Sequence, residues 1–145
     1  MSRTHVSSVV PVSAEEVWDL LRDFGGLPGW HPLVAATTLV SGTATGVGAI
    51  RRVTMGDGSE VVERLVSLDD ASRTGSYELV EHAFPVRRAV CGFRVVPVTD
   101  SGHAFVEMWA DSDLDAEHEE EVGGFVTALF TAALSGLRDR VPAAV

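Results

Sequence analysis

Six successive segments between residues 33 and 112 have the composition of β-strands and are separated by short turns. They are rich in Val, Thr and aromatic residues, and clusters of Gly, Asp and Ser bound them, which is typical of strands. Gly56-Asp57-Gly58 is the strongest hairpin signal, because an Asp-Gly pair supplies the positive φ angles of a tight turn. Strands joined so closely form an antiparallel sheet. The predicted strands are Leu33–Val40, Ala49–Met55, Ser59–Leu68, Thr74–Glu81, Arg87–Val98 and His103–Ser112.

Helical patterns lie on both sides of this region. A further strand is predicted at His5–Val12, and the capping box Ser13-Ala14-Glu15-Glu16 then starts a helix that runs to about Asp23. The breaker-rich stretch Leu27–Pro32 suits a second, very short helix or a turn. The region from about Asp115 to Arg140 has one continuous apolar stripe and predicts a single long amphipathic helix.

The predicted order is therefore β-α-α-β6-α. A seven-stranded sheet must cover one face, and only one long helix is available, so the sheet is expected to curl around that helix. Such a sheet cannot close tightly along its whole length, and the space left over is an apolar cavity of the kind that binds small molecules. We therefore predict an α+β, helix-grip fold, with a curved antiparallel sheet wrapped around a C-terminal helix and a single ligand-binding domain over residues 1–145.

Charge and composition exclude several classes of partner. The chain has 145 residues, a formal net charge of -10 and only 11 Lys and Arg residues, which argues against a nucleic-acid or anionic membrane surface. No apolar run approaches the ~20 residues that cross a bilayer, and no signal peptide is recognisable. The single cysteine, Cys91, fits a reducing compartment, so a cytoplasmic location is expected. The sequence leaves monomer and homodimer open.

Metal-binding patterns fail on inspection. Asp111, Asp113 and Asp115 resemble the start of an EF-hand loop, but Ala116 stands where glycine is required and Val122 where a bidentate glutamate is required. The five histidines have no zinc spacing. We therefore expect neither a metal nor another cofactor.

Strand alternation selects three charged residues as candidates for the cavity wall. Side chains two residues apart share one face of a strand, so Arg51 goes with Val53 and Met55, and Glu63 goes with Val61 and Leu65. By the same rule Glu107 goes with Phe105 and Trp109. Counted outward from the Asp57-Gly58 turn, Arg51 pairs near Glu63 or Arg64. A buried arginine keeps its charge and needs a carboxylate, so an Arg51–Glu63 contact is expected.

Seven short motifs occur in order along the chain. They are Val10–Trp18, Trp30-His31-Pro32, Gly46–Arg51, Glu63-Arg64-Leu65 with Leu68-Asp69-Asp70, Tyr77–Glu81, Phe84-Pro85-Val86 and Phe105-Val106-Glu107. Together they resemble the polyketide cyclase/dehydrase-like branch of the Bet v 1/START (SRPBCC) superfamily. Two of them are most similar to the abscisic-acid receptors and the lachrymatory-factor synthase.

The resemblance implies functional roles for particular positions. Matched by motif, the cavity arginine and glutamate of the receptor and synthase branch fall on Arg51 and Glu63, and the glutamate of the last strand falls on Glu107. Ala89 and Cys91 match ligand-contacting positions. The Trp30-His31 loop falls near the cavity mouth, where Trp30 is a stacking residue or a core anchor, and His31 a proton shuttle or, more simply, an exposed loop histidine.

Further candidates come from the face pattern. Tyr77 shares a face with Leu79 and either donates to a ligand carbonyl or packs in the core. His82 and the Phe84-Pro85 break resemble a lid, with the Gly56–Gly58 turn opposite. Phe125, Leu129 and Ala133 are expected to form the cavity floor. Cys91 is a poor candidate nucleophile, because the sequence places no histidine beside it.

Three functions remain open from the sequence. The leading one is a cofactor-independent cyclase or dehydratase for a small hydrophobic, polyketide-like carbonyl compound, in which Arg51 stabilises an oxyanion and Glu63 or Glu107 moves a proton. The second is a non-catalytic carrier or sensor, with the same residues as polar anchors. The third is a regulator that presents an acidic face to another protein. Two carboxylates near Arg51 would favour chemistry, and a single neutralised pair between apolar walls would favour carriage.

Overall fold

The computed structural model describes residues 2–140, so Met1 and residues 141–145 of the predicted domain lie outside it. Seven antiparallel strands form one sheet in the order β1-β7-β6-β5-β4-β3-β2. Consecutive strands from β2 to β7 pair through hairpins, and β1 closes the far side by pairing with β7. The strands are β1 (Ser2–Val10), β2 (Val34–Ser41), β3 (Ile50–Met55), β4 (Glu60–Asp69), β5 (Thr74–Glu81), β6 (Arg88–Pro97) and β7 (Ala104–Asp113).

The helices begin close to their predicted starts. Helix α1 (Ala14–Leu21) is capped by Ser13, whose hydroxyl oxygen accepts from the Glu16 amide at 3.2 Å. The Glu16 carboxylate accepts from the Ser13 hydroxyl at 3.3 Å, and not from the Ser13 amide as a full capping box would require. The second short helix is a 3₁₀ turn, Leu27–Gly29. Helix α2 (Glu119–Arg140) follows another 3₁₀ turn, Ala116–His118, and so begins four residues later than expected.

Helix α2 packs against the sheet chiefly through its C-terminal half. Phe130, Ala133, Leu134 and Leu137 are buried with α1 and the inner faces of β6 and β7. Gly136 permits close contact with the loop that follows the 3₁₀ turn, because a Cβ there would stand 2.1 Å from the Trp30 carbonyl oxygen. The N-terminal half is looser, and Phe125 is 46% exposed. The predicted helix-grip arrangement is confirmed, with the open space under the first turns of α2.

The predicted face of β7 is wrong. Ala104, Val106, Met108, Ala110 and Ser112 are buried on the inner face, and the alternate residues lie on the outer face. Phe105, Glu107 and Trp109 therefore point away from the helix side.

Glycine and charge explain the choice of face on β7. Trp109 lies opposite Gly92 of β6, and a Cβ at Gly92 would stand 2.3 Å from the indole ring, so the ring covers the glycine on the outer face. The outward row of β7 also contains Glu107, Asp111 and Asp113, three charges that would be costly to bury. The inward row contains no charged residue.

Candidate ligand-binding cavity

A cavity of about 800 Å³ lies between the concave face of the sheet and the N-terminal half of α2. This volume is within the range of small-molecule sites. Most of the predicted residues line it, whereas Phe105, Glu107 and Trp109 do not. The predicted residues at the cavity are Trp30, His31, Arg51, Val53, Met55, Glu63, Tyr77, Ala89, Cys91, Phe125, Leu129 and Ala133.

The polar centre of the cavity is an ion pair between β3 and β4. Arg51 and Glu63 are direct cross-strand partners, which is one of the two pairings that the count from the hairpin turn allowed. Arg51 Nε donates to Glu63 Oε1 at 2.8 Å, and Nη2 lies 2.7 Å from the same oxygen. Both residues are buried, and their charges balance in place. The second carboxylate oxygen of Glu63 has no hydrogen-bond partner among residues 2–140.

Phe24 contacts the guanidinium of Arg51 opposite Glu63, and the sequence did not reveal this contact. Arg51 Nη1 donates to the Phe24 carbonyl at 3.0 Å, and the guanidinium carbon lies 3.9 Å from the centre of the Phe24 ring and 4.8 Å from that of Tyr77. Cation–π contacts of this kind stabilise a charge that is removed from water. Nη1 and Nη2 each keep a second N–H, which a ligand oxygen can accept.

His31 is buried and faces the cavity, so the simpler interpretation of an exposed loop histidine is wrong. The short turn at Leu27–Gly29 folds the loop inward, and the His31 amide donates to the Leu27 carbonyl at 2.8 Å. Burial, reinforced by the charge of Arg51, lowers the pKa of His31 from 6.5 to about 4. Nδ1 accepts from the Leu33 amide at 3.3 Å, which assigns the proton of the neutral ring to Nε2. His31 is therefore an uncharged hydrogen-bond donor at neutral pH.

Tyr77 and Cys91 continue the polar centre across β5 and β6. They are direct cross-strand partners. Burial raises the pKa of Tyr77 well above its usual range, and burial raises the pKa of the Cys91 thiol to about 12. Both groups stay protonated at neutral pH, so Cys91 has no thiolate for nucleophilic attack.

Apolar and small residues complete the wall. The sequence reasoning missed several of them, because it selected the opposite face of β7 and assigned no role to Phe24. The additional lining residues include Phe24, Leu79, Met108, Ala110, Ser112 and Val126.

The cavity mouth lies between two loops and the start of α2. Asp57 of the β3–β4 turn is on one side and Phe84 of the β5–β6 loop on the other. The Phe84 ring packs on Phe125 of α2 at a centroid distance of 5.1 Å. The predicted positions of the two loops at the mouth agree with this arrangement.

Glu107 belongs to an ion cluster on the outer face of the sheet. Its two oxygens lie 3.1 Å from His5 Nε2 and 2.8 Å from Arg94 Nε. Desolvation acts against ionisation, but the hydrogen bonds from His5 and Arg94 prevail and lower the pKa of Glu107. Because it is on the other side of the sheet from Arg51, Glu107 is not the second carboxylate near Arg51 that would favour chemistry.

Two further properties bear on function. Within residues 2–140, no group of three or more His, Cys, Asp or Glu side chains is placed to hold a metal ion. Neither helix in that part of the chain is long and apolar enough to traverse a lipid bilayer.

A curved antiparallel sheet around one long helix, with a ligand-sized cavity between them, defines the helix-grip class of α+β proteins. Within that class, the chain belongs to the family described as polyketide cyclase / dehydrase and lipid transport, whose sequence model matches residues 1–142. No protein of curated function matches the chain significantly.

Solved structures agree with this assignment. A Thermobifida fusca protein is 32% identical, with a TM-score of 0.87 over 97% of this chain and 93% of that one. XoxI from Bacillus cereus is 26% identical, with a TM-score of 0.86 over 96% and 94% of the two chains. The di-domain ARO/CYC protein BexL of the BE-7585A biosynthetic pathway shares the fold at 20% identity, with a TM-score of 0.82 over 97% of this chain and 46% of BexL.

Proposed function

We propose that the chain binds a small, mainly apolar carbonyl compound, of polyketide-like character, in the cavity below α2. The observation that carries this proposal is the cavity itself, whose apolar wall surrounds one polar centre at Arg51 and Glu63. The apolar wall supplies affinity through burial of hydrocarbon, and the few polar groups fix orientation. The family, which includes cyclases, dehydrases and lipid carriers by description, supports the same class of ligand.

The donors around the polar centre suit an oxygen acceptor. Donors available to a ligand include the second N–H groups of Arg51 and the Nε2–H of His31. A carbonyl oxygen placed between them would accept hydrogen bonds in a site shielded from water, where such bonds are stronger. The remainder of the ligand would lie against the aliphatic residues of the sheet and Leu129.

Fluorescence titration with N-phenyl-1-naphthylamine tests binding. We expect the fluorescence of this probe to increase with added wild-type protein and to saturate with one binding site per chain. Leu129→Trp should reduce the fluorescence enhancement at least about tenfold, because the larger indole would occupy the cavity that this residue lines. Thr131→Trp is the matched control, since it places the same ring on an exposed position of the same helix and should leave the titration unchanged. Equal fluorescence enhancement in Leu129→Trp and Thr131→Trp would refute the location of the binding site in this cavity.

Catalysis is a second candidate, favoured by the Glu63 oxygen that has no hydrogen-bond partner among residues 2–140 and by the uncharged His31 donor, which lines the same cavity. In this scheme the Glu63 carboxylate takes a proton from the carbon next to the carbonyl, and the electron pair moves onto the carbonyl oxygen. Arg51 and His31 would stabilise the enolate so formed, as preorganised donors do in general. This step begins both aldol cyclisation and dehydration. Glu107 lies outside the cavity, so Glu63 is the sole carboxylate near Arg51 among the described residues. Since chemistry was expected to need two carboxylates there, binding is the better supported function.

Exchange of hydrogen for deuterium tests the catalytic step. In deuterium oxide, 2-acetylnaphthalene should exchange its methyl protons faster with the wild type than with buffer, as followed by ¹H NMR. Glu63→Gln should remove the acceleration if it remains folded by circular dichroism. Binding of the ketone without accelerated exchange would refute catalysis and leave the binding function intact.

A further inference from the structure

We propose that the cavity selects uncharged ligands and rejects carboxylates, sulfonates and phosphates. This inference rests on the proposed binding function and names the chemical class of the ligand. It follows from the charges around the cavity, since the arginine at its centre is already neutralised.

The polar centre has no net positive charge to offer. Glu63 contacts two nitrogens of Arg51, at 2.8 and 2.7 Å, and Phe24 engages a third. An anionic ligand beside Arg51 would therefore also lie beside Glu63. His31 adds only an uncharged N–H, because its Nδ1 is occupied by the Leu33 amide.

The mouth adds further negative charge. Asp57 and Glu121 line it, so the described residues around the cavity include three acidic side chains and one basic side chain. Asp57 accepts from the Ser59 hydroxyl at 2.6 Å and from the Ser59 amide at 2.9 Å, and these bonds lower the pKa of its carboxyl.

The helix end at the mouth does not restore a positive field. The N-terminus of α2 has the partial positive charge of a helix dipole, which ordinarily favours anions. Its first turn contains Glu119, Glu120 and Glu121, which oppose that field. Arg87, which lies in the β5–β6 loop three residues after Phe84, is paired with Asp113 and Asp115 at 2.8 and 2.7 Å. An anion would thus enter against repulsion, and among the described residues that line the cavity it would meet no cation without a carboxylate partner.

A pair of ligands of nearly equal shape isolates the effect of charge. 2-Acetylnaphthalene and 2-naphthoate share one ring system and a carbonyl oxygen, and only the second is charged at pH 7.5. 2-Naphthamide serves as the control, because its amide group has nearly the size of the carboxylate but no charge. Each is titrated against wild-type protein loaded with N-phenyl-1-naphthylamine, and displacement is read as loss of fluorescence.

We expect the ketone and the amide to displace the probe at concentrations at least about tenfold lower than naphthoate. Asp57→Asn with Glu121→Gln should narrow the ratio of naphthoate to ketone concentration needed for displacement, because naphthoate should then displace the probe at lower concentration. Equal or tighter displacement by naphthoate would overturn the proposal, as would an unchanged ratio in the double variant. Failure of the probe itself to bind would instead refute the proposed binding function, so the two failures are distinguishable.

Discussion

Replacement of Glu63 by leucine should destabilise the fold strongly, because it leaves the Arg51 guanidinium buried without its carboxylate. Arg51 has 6% of its side chain exposed and Glu63 12%, so water cannot take the place of the lost partner. An arginine does not neutralise itself by losing a proton under ordinary conditions. The carbonyl of Phe24 and the rings of Phe24 and Tyr77 remain, but none of them carries a negative charge.

The expected loss is about 3–5 kcal/mol, the usual result of removing one partner of a buried ion pair. For a chain of this size it corresponds to a decrease in Tm of roughly 10–16 °C. The double variant Arg51→Met with Glu63→Leu should recover most of the loss, since apolar residues replace both charges at once.

Urea unfolding followed by circular dichroism measures these differences. Glu78→Leu is the matched control, because Glu78 pairs with Arg64 across β4 and β5 at 2.7 Å while Arg64 is 44% exposed. A pair so accessible to water should cost only about 0–1 kcal/mol when broken. If Glu63→Leu costs no more than Glu78→Leu, the ion pair is not the buried centre that we describe.

Three further predictions concern single residues. Folding lowers the pKa of His31 from 6.5 to about 4, so the unfolded state takes up a proton first as the pH falls. The contribution of His31 to the free energy of unfolding is therefore complete above pH 6.5, and about 3 kcal/mol is lost as the pH falls to 4. His31→Gln should remove this part of the pH dependence of unfolding. Cys91, with a thiol pKa of about 12, should not react with Ellman's reagent at pH 8 until urea is added; rapid reaction of folded protein would contradict its burial. Gly92→Ala should lower the free energy of unfolding by about 1–3 kcal/mol through the clash with Trp109, whereas Gly124→Ala, which meets nothing within 4 Å, should not.

Much of the architecture was predictable because local signals agreed with one another. Strand β5 was predicted with its observed bounds, Thr74–Glu81, since turn residues precede it and a Pro-containing break follows it. The Asp57-Gly58 turn restricted the register of β3 and β4 to Arg51 opposite Glu63 or Arg64, and the pairing with Glu63 is the one observed. A hairpin count of this kind needs no knowledge of the tertiary structure.

The face of β7 was not predicted, because apolar residues occur on both of its faces and aromatic residues suggested the wrong one. Two sequence signals point to the correct face. The row of Phe105 and Trp109 also contains Glu107, Asp111 and Asp113, whereas the alternate row contains no charge. Gly92 offers a space that a large ring from the neighbouring strand fills.

His31 illustrates what local pattern cannot supply. A histidine between Trp30 and Pro32 has no periodicity to place it, and burial of its ring depends on how the 3₁₀ turn and β2 meet. The Phe24 carbonyl is equally invisible, because every residue has a carbonyl and only tertiary structure directs this one to Arg51.

An NMR titration tests the central claim of an internal binding site most directly. Uniformly ¹⁵N- and ¹³C-labelled protein is titrated with 2-acetylnaphthalene, and the signals of Arg51 Nε, the Val53 methyls and the Leu129 methyls are followed. We expect all three to shift together and saturate with one ligand per chain, while the indole N–H of Trp109 on the outer face stays unchanged. Shifts confined to Trp109 and its neighbours, or none at saturating ligand, would contradict the site.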